Sequence, residues 1–245
     1  MRRSLALVVA LGLLVAACGG TASPDDPTTT SGSVDTTTTV APETTTTESP
    51  TTSTLPGEPI DFGPRAGDEL MVVGVAHDDV LNLRAAPGTD QEILAGLEPT
   101  EIGVVALGAT RQLTRSFWIE VEAADTTGWV SLGFVAFEGV TDDATAATID
   151  ELGERPTAPT MSELGRLVAE AWASDEPASD IVKVVDESVG DLGEVTHDVI
   201  GLGDDAVAGF RLHVFGEPVA GGFSLRTVER TTLCGRGVDA DGLCT

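Results

Sequence analysis

The sequence has no tyrosine, its aromatic residues make up only 4% of 245 positions, and Lys183 is its single lysine. Each scarcity excludes something. With so few aromatic rings, recognition of proline-rich peptides in an aromatic-lined groove has little to build on. Thirteen lysines and arginines stand against forty aspartates and glutamates, a formal net charge of −27. Such a field repels phosphate backbones, which excludes nucleic acid as a partner. It also opposes close approach to anionic lipid headgroups. No apolar run reaches the roughly 20 residues that a membrane-crossing helix needs. No Gly-x-Ser-x-Gly elbow, Ser-x-x-Lys pair or zinc-binding helix motif occurs, so the sequence predicts no catalytic group, no metal and no other cofactor.

What is present begins at the amino terminus. Residues 1–17 carry Arg2 and Arg3, then an unbroken apolar run from Leu5 to Ala17 that ends in small residues. A charged start, a short apolar stretch and small residues describe a secretory signal. A core helix would carry polar positions along one face, and this run has none. Val15-Ala16-Ala17-Cys18 then resembles the lipobox of bacterial lipoproteins. The resemblance implies cleavage before Cys18, a diacylglyceryl group on its thiol, and residence on the extracytoplasmic face of the cell membrane. Two or more acyl chains, at about 0.8 kcal/mol per buried methylene, hold a protein stably where one is marginal. Ordinary cleavage, with Cys18 left as a free or paired thiol, is the other reading of the same residues.

The chain has three cysteines, Cys18, Cys234 and Cys244. With Cys18 taken by lipid, the other two form a close pair, and in an exported protein a disulfide is the default. No Cys or His falls between them to make a metal site. The link would close a loop of about eleven residues and stabilise by roughly 2.5–3 kcal/mol in the chain-entropy model.

From Thr21 to about Gly57 the chain is dominated by Thr, with Pro, Ser and Glu. Almost nothing there can be buried, so residues 18–62 are expected to form a lipidated, disordered linker. About 36 such residues reach roughly 30–35 Å on average if flexible, and on the order of 100 Å if extended. Two textures follow. Residues 66–140 hold short β-rich segments separated by turn signals such as Pro87-Gly88 and Gly108, the pattern of a small barrel or sandwich. Residues 144–245 open with helix and continue as strand. Thr160 and Glu163 make a capping box, and Leu164, Leu167, Val168, Ala171 and Trp172 lie along one helical face. The expected fold is mainly β: a small barrel, then an α+β domain with a helix on an antiparallel sheet.

In the first of these regions, Leu81-Asn82-Leu83-Arg84-Ala85-Ala86-Pro87-Gly88 is followed by Ile102-Gly103-Val104-Val105, Trp118-Ile119-Glu120-Val121 and Gly128-Trp129-Val130. In this order the motifs resemble the bacterial SH3 domain. The resemblance implies an SH3-like barrel, and a module that binds peptidoglycan peptides or a surface protein, or serves as a spacer. A ligand groove would draw on Asn82, Arg84, Trp118 and Trp129. The same residues also serve as turn, strand and core material, since Leu81 and Leu83 alternate inward against Asn82 and Arg84.

The second region has no recognisable family motif. His197 and His213 fall on separate predicted strands, with Asp198, Asp204 and Asp205 near the first, and an acid–base or metal constellation could be assembled from them. Alternation instead places His213 as a solvent-facing strand residue. Cell-wall peptidases that carry SH3-like modules place a nucleophilic Cys before a His, whereas here Cys234 and Cys244 follow every His. The reading is therefore a non-catalytic, membrane-anchored envelope protein that meets cell wall or a surface protein. The alternative is an envelope enzyme or ligand-binding protein with its site in 144–245.

Overall fold

Alternating apolar residues in short runs, each closed by a turn, leave the chain one economical way to hide them, and that is antiparallel pairing. The computed structural model describes residues 55–245. The predicted signal, Cys18 and most of the Thr-rich linker lie outside the described residues. Among the described residues no helix is long and apolar enough to cross a membrane.

The first region contributes β1 (Glu58–Pro59), β2 (Glu69–Val72), β3 (Leu81–Arg84), β4 (Ile93–Leu97), β5 (Val104–Gln112), β6 (Phe117–Ala123) and β7 (Thr126–Ser131). A connecting strand, β8 (Val135–Asp143), leads to α1 (Thr145–Leu152), β9 (Thr157–Ala158) and α2 (Met161–Ala171). Four long strands finish the fold: β10 (Asp180–Val189), β11 (Gly193–Ile200), β12 (Val207–Val219) and β13 (Gly222–Cys234). The fold is mainly β, and the strands join in one open antiparallel sheet ordered β10-β11-β12-β13-β8-β2-β5-β6-β7-β3-β4. β1 pairs with β5 and β9 with β13 off this path.

Several details have local causes. β6 and β7 join through Ala124 and Asp125, both at positive φ (49° and 57°), the mirror-image turn whose twist suits a tight hairpin. Glu58–Pro59, inside the segment expected as linker, pairs with Gln112 and Arg111. The Thr110 hydroxyl fastens the following residues by bonding to the carbonyls of Ile60 and Phe62. α2 starts where the capping pattern places it, with the Thr160 hydroxyl accepting a hydrogen bond from the Glu163 N–H at 3.1 Å. It buries Met161, Leu164, Gly165, Val168 and Ala169.

β8 runs through the boundary expected between residues 140 and 144. Its first residues pair with β2 (Met71 opposite Ala136), and its later ones pair with β13, from Phe137–Cys234 to Asp143–Glu229. One core lies in the first region around Leu83, Val104, Ile119 and Val130, and it draws in Phe137 and Cys234. A second lies under α2, where Leu164 and Val168 meet Val195, Leu212 and Val228. Met71, Val73, Ala136 and Leu233 form a smaller cluster, with Ile200 packed against it. Fully burying such a side chain is worth about 1.5–3 kcal/mol.

A buried ion pair fastens the two regions. Asp198 on β11 and Arg211 on β12 stand directly opposite each other. The Arg211 Nε donates to one Asp198 oxygen at 2.7 Å and its Nη2 to the other at 2.9 Å. The same Nη2 also donates to the carbonyls of Val72 and Pro99 in the first region. The Gly74 N–H in turn donates to Asp198 at 2.8 Å. Gly74 suits this close approach through its backbone conformation, and any larger residue would also displace the end of the Ile200 side chain. Its φ is +65°, and a Cβ there would come within 2.6 Å of Ile200 Cδ1.

Candidate functional site

The alternation read from Leu81-Asn82-Leu83-Arg84 is present in β3: the leucines are buried, and Asn82 and Arg84 are half-buried. Trp118 on β6 stands opposite Ser131 on β7. Asn82, Arg84, Trp118 and Ser131 line a single groove of about 390 Å³. Phe134, at the end of the turn after β7, is 41% exposed there, and Val80 also keeps much of its surface at the groove. Val182 of β10 adds a wall from the second region. It is brought there by register, because Val182 pairs with Asp198, whose carboxylate holds Gly74, and Gly74 lines the groove too.

The polar groups are already oriented. Arg84 Nη1 donates to the carbonyl of Gln91 at 2.7 Å, which fixes the guanidinium without neutralising it. Trp118 is only 3% exposed, and its indole N–H donates to the Ser116 hydroxyl at 2.9 Å. It forms part of the groove floor and belongs to the buried interior. Asp79 Oδ1 accepts from the N–H of Val80. Such a surface can hold a ligand by apolar contact and one cationic anchor.

Of the four residues drawn from the motifs, the structure brings three together. Trp129 is 2% exposed, pairs across β3 with Arg84 and does not line the groove. Gly128 and Val130 beside it on β7 are buried as well. Val182, Phe134 and Asp79 were not among the residues the motifs pointed to. Phe134 carried a signal, an aromatic just past Gly-Trp-Val. Val182 carried none, because long-range bonds place it: the pairing of β10 with β11 and the hydrogen bond from the His77 N–H to the Lys183 carbonyl at 2.9 Å.

The histidines and aspartates of the second region do not assemble. His197 and Asp198 are consecutive on β11 and so face opposite sides of the sheet. His197 lies under α2 at 5% exposure, and its Nδ1 has no hydrogen-bond partner. Gly165 permits this, since a Cβ there would sit 2.8 Å from His197 Cε1. Burial, with the nearby Lys183 charge adding to it, lowers the His197 pKa to about 4. Asp204 instead caps its own turn, accepting from Ala206 and Val207 N–H groups, and these bonds lower its pKa. His213 is partly exposed between Glu194 (3.3 Å) and Glu229 (3.8 Å), and its ring packs on Phe215. Among the described residues, no group of three or more His, Cys, Asp or Glu is placed to hold a metal ion.

Cys234 and Cys244 form the disulfide, with Cα atoms 5.2 Å apart. The tail it holds borders a larger cavity of about 760 Å³ with Arg65, Glu69, Glu138 and Arg236. Of its two arginines, Arg236 is paired with Asp205 at 2.7 Å, and Arg65 has no ion-pair partner among the described residues. No protein-family model, curated protein or solved structure matches the chain.

Proposed function

We propose that the chain is a non-catalytic, membrane-anchored envelope lipoprotein that meets cell wall or a surface protein through an SH3-like module. In this reading Cys18 carries the lipid on the extracytoplasmic face, the Thr-rich segment is a spacer, and residues 66–140 form a small barrel followed by an α+β unit over 144–245. The anchor is supported by Arg2-Arg3, the apolar run and Val15-Ala16-Ala17-Cys18. The observation that carries the binding role is the convergence of Asn82, Arg84 and Trp118 on one groove. The acidity of the chain is compatible with an extended outer location and opposes nucleic acid.

Retention of the full chain on purified cell wall tests the reading, together with the Arg84→Ala and Phe134→Ala variants. The reading expects retention by the wild type and a marked loss in both variants. Retention that the variants leave unchanged, or none by the wild type, sinks the groove as the binding site. Cys18→Ala tests the anchor separately, since it should move the protein from the membrane fraction to the soluble one.

A further inference from the structure

The arginines are unevenly used. Arg166, Arg211, Arg226, Arg230 and Arg236 pair with carboxylates, and Arg65, Arg84, Arg111, Arg115 and Arg155 pair with none among the described residues. Three of the unpaired ones stand in one corner of the first region, where β1 meets the end of β5. Arg111 lies opposite Pro59 across that pairing and gives one donor to the Gly57 carbonyl at 3.0 Å. Arg115 sits in the turn between β5 and β6, Arg65 follows shortly after β1, and both are exposed. The same corner carries exposed aromatic surface. Phe62 is 55% exposed and Phe117 37%, and their rings meet edge to face with centroids 5.2 Å apart. No other two exposed aromatic rings touch among the described residues. Leu107 lines one shallow depression together with Phe62 and Arg65.

We infer that this corner docks on a phospholipid bilayer, with Phe62 and Phe117 at the acyl boundary and Arg65, Arg111 and Arg115 on anionic headgroups. Exposed rings beside cations are the chemistry of such a contact, because the rings enter the headgroup boundary while guanidinium forks take phosphate oxygens. Position argues the same way. The described chain begins at Leu55 beside this corner, so the segment leading back to Cys18 enters the fold here. The inference rests on the lipid anchor of the proposed reading, which brings this end of the fold nearest the bilayer, and it adds a second attachment. The chain's overall field opposes anionic lipid, but at physiological salt charges are screened beyond about 8 Å. A bilayer therefore meets the corner alone, where Arg65, Arg111 and Arg115 balance Glu58, Asp61 and Asp68. Asp68 is already engaged by the Arg65 N–H at 2.6 Å. A second copy of the chain fits less well, since a two-fold axis would set the same unpaired arginines against each other.

The test is flotation with lipid vesicles of residues 18–245 carrying Cys18→Ala. This chain keeps every described residue and has neither the apolar run of residues 1–17 nor an acyl chain, so its binding reads the corner. Saturable binding is expected on phosphatidylcholine vesicles with about 30% phosphatidylglycerol, at least roughly tenfold tighter than on phosphatidylcholine alone. Arg65→Gln and Arg115→Gln should each weaken it about fivefold, and Phe62→Ser about tenfold, while Arg155→Gln should leave it unchanged. Unaltered thermal melting shows that the variants are folded, and Arg115→Gln, in an exposed turn, decides the matter if Phe62→Ser melts early. No saturable binding, equal binding to both vesicles, an unaffected Arg115→Gln, or an equal loss in Arg155→Gln each overturns the inference. A dimer that forms without vesicles and that Phe62→Ser dissolves overturns it too, by giving the patch to a second copy. Because the assay involves no acyl chain, failure of the Cys18 anchor in fractionation and failure of the corner on vesicles are separate results.

Discussion

The two folded regions solve burial in different ways. The first is built from strands of four to nine residues, β2 to β7. The second uses four strands of eight to thirteen residues with a helix over one face. Short strands bury little, and small domains have little surplus stability. The first region accordingly completes its core with Phe137 and Cys234, which come from β8 and β13. The second has α2 for one face of its sheet and uses the other to grip the first region through Asp198 and Arg211. The difference teaches that the 66–140 segment resembles a free-standing module in sequence while depending on its neighbour in structure.

The strongest way to break that comparison is to break the ion pair. Asp198→Ala leaves Arg211 charged and buried, which should cost about 3–5 kcal/mol. Hydrogen exchange read separately in the two regions should show both losing protection together. If β3 and β6 keep theirs while β11 and β12 lose it, the regions are independent after all. The double change Asp198→Leu with Arg211→Met should recover part of the loss, because no charge is then stranded, although the Val72 and Pro99 carbonyls lose their donor.

A smaller effect separates the second region by pH. His197 is neutral when folded and has its pKa lowered to about 4 by burial first and the Lys183 charge next. Unfolded, it titrates near its ordinary value of 6.5. The unfolded chain therefore binds more protons between these values, and stability falls as pH drops from about 6.5 toward 4, by on the order of 3 kcal/mol. Denaturant unfolding of wild type and His197→Leu at pH 7.5 and pH 4.5 should show a steeper loss in the wild type. Equal slopes would mean that His197 is not held neutral beneath α2.

The smallest effect sharpens the assignment of α2 to the second core. Thr160→Ala removes the cap from the Glu163 N–H and should cost about 1 kcal/mol. Exchange rates should rise first in α2 and leave β5 and β6 unchanged. A shift of equal size in both regions would argue that the helix supports the whole sheet.

Much of this architecture was legible in the sequence, for identifiable reasons. Periodicity and the Thr160–Glu163 capping box located α2, and the segments after it were legible as strand, with His197 and His213 on separate ones. The run Leu81–Arg84 was legible as a strand with its polar side outward, and so Asn82 and Arg84 could be named. β4 was not, because Ile93, Leu94 and Gly96 are exposed and show no alternation. The β6–β7 turn was hidden as well, since Ala124 and Asp125 are not residues that advertise positive φ. The groove was half legible. Local motifs name residues of β3 and β6, but Val182 reaches them through bonds between segments about a hundred residues apart, such as that of His77 with Lys183.

The disulfide acquires a different meaning from the core it enters. Cys234 is fully buried among first-region side chains, and Cys244 packs against the same cluster. The last strand made therefore supplies the last piece of the first region to be made. A chain emerging from its amino terminus must hold β2 to β7 with an open flank until some hundred further residues have followed. The first region's core is thus closed by a residue about a hundred positions further along the chain than β7, and the disulfide ties that residue to Cys244.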